Sequence, residues 1–334
     1  MIITRTPFRM SFSGGGTDLQ EYFRENGGCV ISSTFDKYCY VTVRHLPRFF
    51  EYKNQLTYSR IERVKEVGDF QHPMVREAMK MLDMHELIMN YDADLPARTG
   101  LGTSSSFAVG LLNAFYALKG KYADKRKLAM EAIYLERVLC DEAGGWQDQI
   151  AAAFGGMNYI EFKEDSFDVH PIIIHPERKK ALKENLMLFF TGFSRFSAEI
   201  QKEIKQNIKE RFAQLDEMKS LVYEAKNILE DKNSDLNEFG KILDYTWQLK
   251  RQTGSKISTN SIDEMYERAI KAGATGGKLM GAGGGGFLLF YVEKDKQDVV
   301  KKALDNLLLI PFDFENTGTE IVYYSPEQYQ PEIG

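Results

Sequence analysis

Little in this chain would staple it from outside or carry it into a membrane. Its three cysteines, Cys29, Cys39 and Cys140, are odd in number and scattered over 334 residues. They make neither a zinc-knuckle spacing nor a disulfide framework, which points to a reducing cytoplasm. No apolar run approaches the roughly 18 residues of a membrane-spanning helix. The start, Met1-Ile2-Ile3-Thr4-Arg5, is short and strand-like and has no secretory leader pattern. Basic excess is missing too: a formal net charge of −5 argues against nucleic acid as a partner. The histidines show no HExxH spacing, and there are no low-complexity segments or fixed-period repeats. The phosphate-loop pattern GxxxxGK[ST] fails because Leu279 follows Gly277-Lys278 where Ser or Thr is required, and the protein-kinase signature set is absent. What remains is an ordinary globular composition, 43% hydrophobic and 27% charged, long enough for about two domains.

Glycine is what the chain has, in three loops. The first to weigh is residues 97–107, ARTGLGTSSSF. An apolar-alternating run from Leu87 to Leu95 precedes it and an amphipathic helical pattern, Phe107 to Leu118, follows. Gly100 and Gly102 permit backbone angles that other residues resist. Thr103, Ser104 and Ser105 place hydroxyls beside the unpaired N–H groups of a helix start, where an anion such as phosphate is favoured. The plainer reading is a serine-rich N-cap on an ordinary helix. A second loop, Ser13-Gly14-Gly15-Gly16-Thr17-Asp18, is one that something approaches closely, or a plain turn in which Asp18 caps the helix that follows. The third runs from Gly273 to Gly286. Its Gly281-x-Gly283-x-x-Gly286 matches the dinucleotide fingerprint only formally, because the glycines run into a strand, Phe287–Val292, rather than a helix.

Between these loops the pattern predicts short strands at Ile2–Arg5 and Phe8–Phe12, two strands within 28–45 joined near Phe35-Asp36-Lys37, and a strand within 49–59. Helices are expected at 60–67 and 74–83, a strand at 87–93, and helices at 103–119 and from Asp124 to Cys140. Strands at 157–162 and 167–174 then lead to a domain edge near Pro176. Beyond it come a strand at Leu186–Thr191 and a long charged helix over 197–231, whose Ile200, Ile204, Ile208, Phe212, Leu215 and Met218 read as a core stripe. Helices at 235–251, 260–272 and 295–308 and terminal strands at 312–316 and 320–324 complete an α+β second unit, read as an antiparallel sheet with helices on one face.

Two acidic residues stand out by their company. Glu136 lies late in a helix, and Asp148 follows the Gly144-Gly145 break. A carboxylate with a helix-start hydroxyl is a hard-oxygen pair suited to Mg²⁺. A second carboxylate on a glycine-flanked turn can accept a proton from a substrate hydroxyl. Either residue taken alone is as readily a solvated surface charge.

Three segments in this order and spacing resemble the three motifs of the galactokinase, homoserine kinase, mevalonate kinase and phosphomevalonate kinase (GHMP) superfamily. They are Pro7 to Asp18, Gly100 to Ser106, and Lys278 to Gly286. The GGGTD form of the first, with Gly27-Gly28-Cys29-Val30 and Gly145-Trp146-Gln147-Asp148-Gln149, resembles the sugar-1-kinase branch that contains heptose 7-phosphate kinases and fucokinases. The resemblance implies an α+β two-domain fold. Residues 1–178 would be a ribosomal protein S5 domain 2-like unit and residues 179–334 a ferredoxin-like unit. It implies ATP and Mg²⁺ as cofactors and a small sugar phosphate as substrate, with neither nucleic acid nor membrane as partner; a homodimer is compatible with it.

Residue roles follow by position. Asp148 is the expected base and Arg9 stabilises charge beside it. Gly100, Leu101, Gly102, Thr103, Ser104, Ser105 and Ser106 wrap the ATP phosphates. Ser104 and Glu136 hold Mg²⁺. Arg9, Gly16, Thr17, Asp18 and Asp148 meet the sugar, and Gly281, Gly283, Gly284 and Gly285 shape the cleft between domains. Lys278 is a candidate for a sugar phosphate, and equally a nucleotide or structural lysine. A decarboxylase of the same fold, or a sugar-binding regulator, are the other readings; the GGGTD loop argues against the first and the presence of Ser104, Glu136 and Asp148 against the second.

Overall fold

The computed structural model describes residues 1–97, 99–192, 208–254 and 256–326. A first sheet grows from β1 (Ile2–Ser13) and β2 (Gly28–His45), which pair antiparallel. Each was expected as two strands, broken at Pro7 and near Asp36, yet each runs through. The two interruptions face one another: Pro7 pairs with Tyr38, and the register shifts between Pro7 and Phe8. Extra residues in one strand are absorbed as a bulge, without a turn. Pro7 removes no ladder bond on its other side, because β12 (Glu320–Tyr324) runs beside β1 only from Ile2 to Arg5.

Midway along, β2 changes neighbours. Its first half, Gly28–Ser33, pairs with β6 (Met157–Lys163), which carries β7 (Ser166–Pro171); its second half pairs with β5 (Leu87–Ala93). Outside β5 lie β3 (Asn54–Thr57) and β4 (Ile61–Val64). The strand β4 corrects the helix expected over 60–67. Ile61, Val64 and Val67 are spaced like a helical stripe, but Ile61 is 62% exposed and the segment folds back on β3 as a hairpin.

The second sheet has the order β11-β8-β10-β9, antiparallel throughout, from β8 (Leu186–Phe190), β9 (Gly276–Leu279), β10 (Phe287–Tyr291) and β11 (Leu308–Ile310). Both its faces are buried, not one. Met187, Phe189, Leu288 and Phe290 pack with Trp247, Ile262 and Val300, whereas Leu188, Phe287 and Leu289 join a core shared with Phe8, Met10 and Phe12 of β1. Two strand expectations change here. Residues 312–316 hold only a bridge from Phe314 to Phe35. The final strand, β12, belongs to the first sheet, so the segment 179–334 returns its end to the N-terminal unit.

The helices of the first unit are α1 (Gln20–Asn26), α2 (Pro73–Met81), α3 (Thr103–Leu118), α4 (Lys125–Tyr134) and α5 (Gln147–Phe154), with α6 (Pro176–Asn185) leading to the second. In α3 every residue except Ser104 is buried, so the amphipathic expectation gives way to a central helix packed by β1, β2, α4 and α5. Of the long helix expected over 197–231, the described part is a 3-10 turn, Ile208–Arg211, and the helix Phe212–Glu230, which buries Leu215 and Met218; Ile200 and Ile204 lie outside the described residues. Helices Asn237–Arg251, Asn260–Lys271 and Gln297–Ala303 follow.

Candidate active site

The start of α3 is uncapped. Its N-cap is Gly102, with φ +74, and no side chain accepts from the first turn. The Ser106 N–H bonds back to Gly102 O at 2.9 Å, which leaves the amides of Thr103 to Ser105 ahead of it outside the helical ladder. The plain serine-cap reading therefore does not describe this end; its hydroxyls are spent elsewhere. Ser106 Oγ donates to Pro7 O at 2.8 Å and ties the helix to β1. Ser105 Oγ donates to Glu136 Oε2 at 2.7 Å. Ser104 is exposed.

Glu136 and Ser104 were expected together as metal ligands; the hydroxyl that bonds to Glu136 in the structure is that of Ser105. Helical geometry turns Ser105 inward and Ser104 outward, and spacing alone does not say which. Glu136 itself is 1% exposed and sits in a π-turn, Leu135–Leu139, where the ladder of α4 slips by one residue. Gln149 Nε2 donates to the same carboxylate oxygen, and Arg137 Nη2 lies 3.9 Å away.

Arg9 and Asp148 form the floor of the site. Arg9 Nε and Nη2 donate to the two oxygens of Asp148 at 2.8 and 2.9 Å, while Nη1 donates to Gly100 O at 2.7 Å. One buried guanidinium thus locks a carboxylate to the glycine loop, using the fork geometry that lysine lacks. Gly102 is needed beside them: a Cβ there would lie 3.2 Å from Arg9 Cγ and 3.5 Å from the Asp148 carboxylate.

Asp18 does not cap α1, whose N-cap is Leu19 with no side-chain bond. Its Oδ1 accepts from Gly16 N at 2.8 Å and its Oδ2 from Gln147 N at 3.3 Å, joining the GGGTD loop to the start of α5. Burial pushes the Asp18 carboxyl up, and the nearby Asp148 charge adds to this against the two backbone N–H groups. Thr17 is not in the cleft wall. It is fully buried, with its hydroxyl 2.8 Å from both Gly14 O and Cys29 O and 3.1 Å from Cys29 N. Its role is to hold the loop against β2.

The third glycine loop packs backbone on backbone against the first unit. A Cβ on Gly281 would meet Gly100 Cα at 2.2 Å, and one on Gly286 would meet Thr99 O at 2.1 Å. Gly283 presses on Ile257, and Gly284 N donates to Ile257 O at 2.9 Å. Gly285 adopts φ +153.

Together these elements line a cleft, with Arg9, Ser11, Gly15, Gly16, Asp18 and Asp148 on one side and Lys250, Thr253, Lys278 and Gly281 on the other. Two buried polar atoms in its wall, Ser11 Oγ and Gln147 Oε1, have no hydrogen-bond partner among the described residues. Sequence reasoning missed Ser11, Arg137, Gln147 and Lys250 as wall residues. Ser11 and Gln147 lie within the motif segments; Lys250 is one lysine in an unremarkable helix end.

Two family models match this chain: the GHMP kinases N terminal domain over residues 70–156 and the GHMP kinases C terminal domain over residues 225–308. The chain belongs to the GHMP kinase family. Among curated relatives of this GHMP kinase, the D-glycero-alpha-D-manno-heptose 7-phosphate kinase of Campylobacter jejuni is 28% identical, over 91% of this chain and 93% of that protein. The L-fucokinase/L-fucose-1-P guanylyltransferase of Bacteroides fragilis is 26% identical, over 89% of this chain and 35% of that larger protein. Among solved structures, a D-glycero-D-manno-heptose 1-phosphate kinase from Bacteroides thetaiotaomicron superposes with a TM-score of 0.78 at 25% identity, covering 97% of this chain and 99% of that one. This GHMP kinase has the two-domain α+β fold of the family, and is a sugar kinase: an ATP-dependent phosphotransferase acting on a sugar hydroxyl. No helix among its described residues is long and apolar enough to cross a membrane.

Proposed function

We propose that this kinase transfers the γ-phosphate of ATP to the anomeric O1 of D-glycero-α-D-manno-heptose 7-phosphate. The product is the 1,7-bisphosphate, which would enter the GDP-heptose route to surface polysaccharide. The observation that carries the phosphoryl-transfer reading is the Arg9–Asp148 pair, fixed to Gly100 beside an uncapped helix start. Such transfer depends on positioning and charge neutralisation more than on covalent chemistry. The O1–phosphorus bond forms as the bond to the ADP leaving oxygen breaks, and Asp148 takes the O1 proton. Each Asp148 oxygen bound by Arg9 keeps a lone pair for that proton. Gly100 to Ser106 wrap the ATP phosphates through backbone N–H groups, and Gly281 to Gly285 brace that loop from the other domain.

The donor set near Glu136 fits an oxygen-preferring divalent ion. It consists of a buried carboxylate, the Ser105 hydroxyl bonded to it, and the buried Gln149 Oε1, which has no partner among the described residues, with the exposed Ser104 one position earlier on the same helix start. Glu136 with Ser104 or Ser105 would hold Mg²⁺ there, and the ion would supply charge neutralisation on the nucleotide phosphates. Gly16, Asp18, Ser11 and Gln147 face the acceptor, and the unpaired Ser11 and Gln147 atoms suit a polyol.

The Bacteroides fragilis relative favours a second reading, an L-fucokinase or another sugar-1-kinase. ADP release measured with heptose 7-phosphate, free heptose, L-fucose, D-mannose and D-galactose separates them. Turnover of heptose 7-phosphate at the highest kcat/KM supports the first reading, and preferred turnover of L-fucose replaces it with the second.

A further inference from the structure

The acceptor cleft has more buried positive charge than its protein partners account for. Arg9, Arg137, Lys250 and Lys278 line it, against the carboxylates of Asp18 and Asp148. Arg9 is matched by Asp148. Arg137 spreads its donors over Glu142 O, Ala143 O and Gly145 O at 3.1–3.2 Å and lies 3.9 Å from Glu136. The two lysines differ. Lys278 Nζ donates to Phe12 O at 3.0 Å and Lys250 Nζ to Gly281 O, and among the described residues neither ammonium has a carboxylate within 4.0 Å.

An ammonium taken from water without an anion is costly, and two that repel one another are more so. Burial pushes Lys250 down to about 8 and Lys278 well below its ordinary value, with Arg9 adding to both and Lys250 to Lys278. Apolar side chains or a carboxylate would remove this strain in the free protein. A cleft that keeps both lysines is one whose counter-ion arrives with the ligand.

Two phosphates could be that counter-ion: the one being transferred, or one already on the acceptor. The lining favours the acceptor. The lysines share the cleft with Gly15, Gly16, Asp18 and Leu19 as well as with Arg9 and Asp148, whereas none of Gly100 to Ser106 lies in its wall. We propose that Lys250 and Lys278 form the seat for a phosphate group carried by the acceptor sugar, and so select phosphorylated over free sugars. This rests on the reading of the acceptor as a sugar phosphate. Lys278, reaching from β9 to β1, and Lys250, anchored on the glycine loop, would then close the two domains onto that phosphate.

The test compares wild type with Lys250→Gln and Lys278→Gln in the full chain with ATP and Mg²⁺. Steady-state KM and kcat are measured for heptose 7-phosphate and for ATP, with calorimetric binding of heptose 7-phosphate in the absence of nucleotide. Loss of one charge-assisted bond should raise the KM for heptose 7-phosphate about tenfold or more and weaken its binding alike, while the KM for ATP moves less than about threefold. An equal rise in the KM for ATP assigns the lysines to the nucleotide and overturns the seat. Wild-type turnover of heptose 7-phosphate with unaltered KM in Lys250→Gln also overturns it, leaving the kinase reading standing. Wild type that neither binds nor phosphorylates heptose 7-phosphate removes the substrate reading and the seat together. If Lys278→Gln fails to fold, the less buried Lys250 decides alone.

Discussion

The contact between the Gly100 loop and the Gly281 loop makes the sharpest prediction. Gly281 has φ +71, and a Cβ there would lie 2.2 Å from Gly100 Cα and 2.7 Å from Gly100 O. Ordinary contact starts near 3.4 Å, so Gly281→Ala must part the two backbones by about 1 Å. The left-handed angle costs roughly 1 kcal/mol for alanine, and forcing a methyl into a close-packed contact costs about 1–3 kcal/mol more. The second term acts on the loop that holds Arg9 Nη1 through Gly100 O. A misplacement of about 1 Å at a reacting centre costs on the order of 100-fold in rate. Gly120→Ala is the control, because Gly120 has φ +66 and a methyl there would meet nothing within 4 Å. Both variants should lose some Tm, Gly281→Ala the more, but only Gly281→Ala should lose about 100-fold in kcat at saturating ATP and sugar, assayed well below its Tm. Equal Tm losses with wild-type kcat in Gly281→Ala would refute the claim that this contact positions the loop.

Three other perturbations follow from the same geometry. Asp148→Asn should lower kcat by about 100- to 10,000-fold with little change in the KM for ATP, and near-normal turnover removes Asp148 from the base role. Ser105→Ala takes a hydrogen bond from the buried Glu136 carboxylate and should cost about 1–3 kcal/mol by chemical denaturation. Ser104→Ala, at an exposed position, should stay within about 0.5 kcal/mol and act on kcat instead; the reverse pattern would exchange their roles. The last concerns pH. Lys250 titrates near 8 when folded against an ordinary 10.5. The unfolded chain therefore binds more protons between those values, and the ligand-free protein gains stability as pH rises through about 8. Arg9, Lys278, Asp18 and Asp148 set the field around that group. Tm measured from about pH 7 to 9.5 should rise more in wild type than in Lys250→Gln, whereas stabilisation by heptose 7-phosphate should shrink over the same range.

Local signals carried far in this protein. Asp124 was legible as an N-cap, and its Oδ1 does accept from Lys127 N at 2.7 Å. The strand Leu87–Ala93, the glycine loop and α3 appear where periodicity and punctuation put them. Misreadings arose where a residue's partner decides its state. The Gly276-Gly277 pair reads as loop, yet it lies in β9, where Gly276 lets β9 approach Gly240 O: a Cβ would sit 2.0 Å from it. Pro7 and Asp36 read as breaks and become facing halves of one bulge. Thr17 reads as a sugar contact and is consumed by Cys29.

The order of three glycine motifs, the hydroxyl-rich helix start and the two carboxylates are properties of the linear chain, because backbone freedom and donor chemistry belong to each residue. They suffice for the family and for phosphoryl transfer. Which serine faces Glu136, which carboxylate Arg9 clamps, and that two lysines with no carboxylate within 4.0 Å among the described residues share a cleft with Asp18 were settled only by the fold. Those facts depend on the phase of a helix, a one-residue slip at the π-turn, and two sheets brought together from distant parts of the sequence. No local pattern records such distances.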